Sequence, residues 1–153
     1  MIKAIKKSIA VVSLAALPVV SAQAGGGDNH AAVFLGATKA YSGTNPTAGI
    51  EYERRLPFMD RKIGLGVVAE RIFDGGYQPD LVLGGVVIHP WKDLKFNISA
   101  GKEFLDSHSK NVVRVGAGYD LHYNNISYGP VYNIDTISGK RAHVFGLAIG
   151  MGF

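Results

Sequence analysis

The chain closes on Val144-Phe145-Gly146-Leu147-Ala148-Ile149-Gly150-Met151-Gly152-Phe153. Phe145, Leu147, Ile149, Met151 and Phe153 are large and apolar, and the residues between them are glycine or alanine. Successive side chains of a strand point to opposite faces, so this period of two describes a strand with one bulky greasy face and one tiny face. A greasy face turned to lipid, with a small face turned to a crowded barrel interior, accounts for the pattern.

Working back from that strand, the same alternation recurs in segments of about ten residues, the length a tilted strand needs to cross a bilayer. The expected strands are 30–38, 47–56, 62–72, 81–89, 94–104, 112–123, 126–137 and 141–153, separated by turn-forming residues. No stretch has a helical period. Eight is an even number, so both ends of an antiparallel barrel fall on one side. The connections near 39–46, 73–80, 105–111 and 138–140 then share the opposite side, and the turns at 57–61, 90–93 and 124–125 lie with the termini. The fourth strand is apolar on both faces and the first nearly so, which leaves their phase open. The fold class expected is all-β, an eight-stranded antiparallel up-and-down transmembrane barrel.

A second segment stands apart. Lys3, Lys6 and Lys7 precede an apolar run from Ile9 to Val20, followed by Ala22-Gln23-Ala24. A basic start, a short apolar core and a small-x-small site describe a cleaved secretory signal peptide over residues 1–24, with Ala22 and Ala24 at the cleavage site. The run is shorter than the ~20 residues of a spanning helix. Residues 25–153 are then the barrel domain. The formal charge of +4 includes those three lysines, so 13 of the 16 basic residues face 12 acids in the remainder, a net +1. That balance makes no case for nucleic-acid binding. With no cysteine, disulfide and thiolate chemistry are excluded.

The face opposite the bulky one decides between a membrane barrel and a soluble sandwich. It carries many glycines together with Glu51, Glu53, Arg55, Glu70, Glu103, Arg114, Asp120 and Asp135. On a water-facing sheet those glycines would only weaken the strands. In an eight-stranded barrel the interior is just wide enough to be filled by side chains, and glycine makes room for long charged ones. The eight charged residues are therefore expected to form a network that fills the lumen, since buried charges must be paired or hydrated. The excess of carboxylates leaves a narrow cation-preferring path as an alternative. Phe34, Tyr52, Phe73, Trp91, Phe96, Tyr119, Tyr123, Tyr128, Tyr132, Phe145 and Phe153 are assigned to the outer wall, several of them at interfacial depth.

On these residues, the chain from 25 onward resembles the small eight-stranded outer-membrane barrels of Gram-negative bacteria, the OmpA/OmpX type. The resemblance rests on the signal peptide ending Ala22-Gln23-Ala24, on TAGIEYERRLP, on VRVGAGYDLHY and on the terminal VFGLAIGMGF. It implies an outer-membrane location, a monomer, and partners among outer-membrane lipid, lipopolysaccharide and the barrel-assembly machinery. Phe145, Leu147, Ile149, Met151 and Phe153 would form the signal which that machinery reads. Short outer connections, of three to eight residues, argue against an adhesin. The group also includes lipid A-modifying enzymes, and the nearest candidates for a hydrolytic site are His122, Ser127 and Asp135. Their inward parity does not suit a lipid-facing hydrolase. His89 is expected at the interface beside Pro90 and Trp91, and the five scattered histidines lack metal-ligand spacing. The expected protein is a non-enzymatic barrel with a structural or envelope-interaction role and no cofactor.

Overall fold

A computed structural model describes residues 27–40, 43–76 and 78–153. The segment read as a signal peptide, with Ala22 and Ala24, lies outside the described residues. The strands are β1 (Asn29–Ala40), β2 (Gly43–Arg55), β3 (Ile63–Ile72), β4 (Asp80–Ile88), β5 (Leu94–Phe104), β6 (Ser109–Tyr119), β7 (Leu121–Tyr123), β8 (Ile126–Ile137) and β9 (Lys140–Gly152). Consecutive strands pair antiparallel, except that β6 and β7 both pair with β8, and β1 pairs with β9 from His30↔Gly152 to Lys39↔His143. That last ladder closes the sheet into a barrel and removes its edges. A single 3-10 turn at Met59–Arg61 interrupts the β2–β3 connection.

β6 and β7 are two parts of the sixth barrel strand. Gly118 faces Val131 above the gap and Leu121 faces Tyr128 below it, so two residues remain on each side and the register does not slip. The cause is chemical. Pro130 has no N–H to give to the ladder, while on the other side Asp120 continues the β5 ladder, its N–H donating to the carbonyl of Asp93 at 2.7 Å.

The wall sorts by parity. Leu35, Leu65, Val67, Ile98, Val115, Leu147 and Ile149 are exposed on the outside, with Leu147 at 59%. A continuous outer band of exposed apolar side chains is the mark of a wall made for hydrocarbon. Trp91 and Tyr123, at the turn end, are more exposed still. In β4, Leu81 and Leu83 face in while Val82, Val86 and Ile88 face out, which settles the phase of that strand.

The phase of β1 corrects one assignment. Phe34 does not belong to the outer wall: it is buried in an interior cluster with Val131, Val144 and Ala148. Its register partners are Gly49 and Ala148. The ring also fills the space over Gly36 and Gly146, where an added Cβ would come within 2.7 and 2.8 Å of it. The small residues of the final strand therefore accommodate two rings, Phe34 over Gly146 and Ala148 and His30 over Gly150. Strands also extend further into the connections than composition suggested. The first loop shrinks to the segment between Ala40 and Gly43, and the third to 105–108.

Candidate functional site

The inward residues build a layered interior. Nearest the loops, Ile72, Leu81, Leu83 and Val112 form an apolar plug, backed by Val68 and Ile137. Next comes Arg114 on β6, 2% exposed, between Glu70 on β3 and Asp135 on β8. Its Nη1 and Nη2 donate to Glu70 Oε1 and Oε2 at 2.6 and 2.7 Å. Its Nε and Nη2 donate to Asp135 Oδ1 and Oδ2 at 2.6 and 2.8 Å. One guanidinium thus holds two carboxylates, each by a parallel pair of charge-assisted bonds. Arg114 and Asp135 are register partners, while Glu70 reaches across the lumen.

Below this clamp, Asn97 Nδ2 donates to Asn133 Oδ1 at 3.1 Å. Further toward the turns, Lys95 Nζ lies 3.3 Å from Asp120 Oδ2 and 3.8 Å from Glu51 Oε1. Glu53 meets His89 Nε2 at 2.7 Å and Arg55 Nε at 3.7 Å. Arg55 Nη2 lies 3.4 Å from His89 Nδ1. With Arg55 donating to Nδ1, the Nε2–H of His89 is the donor to Glu53. Glycine provides the room: a Cβ on Gly116 would collide with Asn133 Oδ1, and one on Gly64 with Glu53 Oε1. Glu103 is buried at the loop end and faces Lys110 in the β5–β6 register.

All eight charged residues read from the sequence lie on the inward side, and the geometry divides them into separate groups. Glu70, Arg114 and Asp135 form one, Glu53 and Arg55 a second, Glu51 and Asp120 a third, with Glu103 apart. Two members were missed. Lys95 has the same parity as Asn97 and is buried, so the alternation itself contained the signal. His89 is 5% exposed inside the barrel, not at the interface. Its backbone N–H donates to Lys62 O at 2.7 Å, extending the β3–β4 ladder and keeping its side chain on the inner parity.

The three residues considered for hydrolysis do not converge. Ser127 is buried, with its Oγ 2.7 Å from His30 Nε2. His122 faces Ser127 in register but places Nδ1 3.2 Å from Asp93 Oδ1. Asp135 is held by Arg114, eight residues along β8 from Ser127. The interior cavity measures about 40 Å³, and its lining includes His30, Glu51, Lys95, Asn97 and Arg114. That is room for water, against roughly 300–1,000 Å³ for a small-molecule site. Among the described residues no group of three or more His, Cys, Asp or Glu could hold a metal.

No protein-family model and no curated protein matches the chain. Solved structures do. The N-terminal β-barrel domain of Pseudomonas aeruginosa OprF superposes with a TM-score of 0.61 at 17% identity, over 84% of this chain and 100% of that one. Ail, the attachment invasion locus protein of Yersinia pestis, gives 0.57 at 11% identity, over 83% and 99%. A de novo designed transmembrane β-barrel gives 0.58 at 16%, over 84% and 100%. At such identities what is shared is architecture: a closed antiparallel barrel of eight strands. The chain therefore has the fold of the small eight-stranded outer-membrane barrels.

Proposed function

We propose that this chain is a non-enzymatic outer-membrane barrel whose role is structural or interactive within the envelope. The observation that carries this reading is the Arg114 clamp inside a wall that carries a continuous outer band of exposed apolar side chains. Two carboxylates on one buried guanidinium, under an apolar plug, leave the lumen no continuous aqueous path. A pore would need charges facing water, and a hydrolase would need an accessible nucleophile. Ser127 is buried against His30 instead.

In this reading the turn end and both termini face the periplasm and the loop end faces outward. The segment 1–24 directs export and is cleaved after Ala24. Phe145, Leu147, Ile149, Met151 and Phe153 serve the barrel-assembly machinery as its recognition strand. Hydrogen bonds between Phe153 and Asn29, at 2.9 and 3.1 Å, join the ends of the barrel once that strand has docked. The protein works as a monomer among outer-membrane lipid and lipopolysaccharide, without a cofactor.

Two measurements test the reading together. Membrane fractionation is expected to recover the protein in the outer membrane as a heat-modifiable band. Planar-bilayer recordings of the purified barrel are expected to show no resolved conductance steps. A soluble periplasmic product would contradict the location, and reproducible steps would contradict the filled lumen.

A further inference from the structure

Charge on a wall that faces hydrocarbon is costly, so its position is informative. At the loop end, Arg71 is outward but neutralised: Asp80 accepts from its Nε and Nη2 at 2.6 and 2.8 Å. The seam of β8, β9 and β1 is different. Arg141 and His143 share the outward parity of Phe145 and Leu147 on β9. Lys39 on β1 is the register partner of His143, and Thr136 on β8 is that of Arg141. Strand neighbours lie about 5 Å apart and alternate residues about 7 Å apart, so these side chains fit within one lipid headgroup. Lys39 and Arg141 are exposed. Among the described residues neither has a carboxylate within ion-pair distance.

A second observation lies directly beneath. Tyr132 Oη is 2.6 Å from His143 Nδ1, and the two rings stack with centroids 6.0 Å apart. Tyr132 and its register partner Phe145 also form one wall of an open groove of about 560 Å³ on the outer surface. Its floor is Gly118, Pro130 and Gly146, and Tyr119 stands on the far side. The groove coincides with the gap in the ladder at Pro130. A cationic head site thus continues, through one tyrosine, into an apolar slot.

We propose that this seam binds a phosphorylated glycolipid, with phosphate against Lys39 and Arg141 and an acyl chain in the groove below. Two separated cations suit two anionic groups on one head. Thr136, His143 and the Tyr132 hydroxyl offer hydrogen bonds to sugar hydroxyls between them. The assignment rests on the outer-membrane reading, which puts the loop end in the outward leaflet.

Native mass spectrometry of the folded protein in detergent tests it, with bis-phosphorylated lipid A, phosphatidylglycerol and phosphatidylcholine as probes. One lipid A is expected to be retained per barrel, about tenfold more tightly than phosphatidylglycerol, which offers one anionic group in place of two. Phosphatidylcholine should stay at background. The double variant Lys39→Gln, Arg141→Gln, which removes both contacts, should lose more than about tenfold in lipid A retention. Ala117→Phe, which fills the groove from an outward position, should weaken retention with the head site intact. Equal retention by wild type and both variants would overturn the site, and phosphatidylglycerol held as tightly as lipid A would overturn the glycolipid assignment. Heat-modifiable migration of the same samples separates the two levels of failure. A folded outer-membrane barrel without the preference sinks this inference alone, whereas a protein that is no outer-membrane barrel sinks the reading beneath it.

Discussion

At the scale of single residues, Arg114 carries the largest stake. A buried guanidinium satisfied by two carboxylates is costly to break and cheap to replace whole. Arg114→Met alone leaves Glu70 and Asp135 buried without their partner and is expected to cost about 3–5 kcal/mol. Replacing the three together, with Glu70→Met, Arg114→Met and Asp135→Leu, should recover most of that loss. Urea unfolding in phospholipid vesicles reads both. A triple variant no more stable than the single would show that the clamp does not act as a unit. The inward parity of Arg114 and Asp135 was legible in the sequence because each sits in a strand with clean alternation. Their partnership with Glu70 was not, since it depends on which side chains reach across the lumen. Lys95 was legible by the same parity and went unread. Phe34 was ambiguous for a physical reason: in β1 both faces are apolar, and only pairing with β9 shows which one meets Ala148.

At the scale of elements, the weakest seam is the one between β6–β7 and β8. Pro130 removes a donor there. The β1–β9 seam, by contrast, runs without interruption from Lys39 to His30. Local opening follows the density of ladder bonds. Hydrogen exchange is therefore expected to be faster for the amides of Tyr119 and Leu121, which flank the gap, than for those of Val33, Leu35 and Leu147. Uniform protection around the barrel would count against the gap. The existence and order of the eight strands could be read from alternation and turn residues. The gap could be anticipated only in part, because Pro130 is visible in the sequence while its opposite residue is fixed by register. Loop lengths came out shorter than expected because pairing carries the ladder into polar residues such as Thr44, Asn45 and Ser109.

At the scale of the whole molecule, the account depends on a single inversion: large apolar side chains outside, glycine and paired charge inside. The closing strand displayed that inversion in ten residues, and the closed sheet extends it around the barrel. What the sequence could not display was how the interior divides, into an apolar plug, a guanidinium clamp and a lower set built on Lys95 and His89. Those layers arise from strand tilt and stagger, which no single strand records. The chain has no cysteine, so single cysteines can be introduced without competition. The most direct test places a spin label in turn at 145, 147, 149 and 151 and at 144 and 148 of the protein in lipid vesicles. The account predicts high collision rates with dissolved oxygen and low rates with a water-soluble nickel chelate at the first four, and restricted, oxygen-poor labels at the other two. High nickel accessibility at 145, 147, 149 and 151 would contradict it, because that face would then meet water.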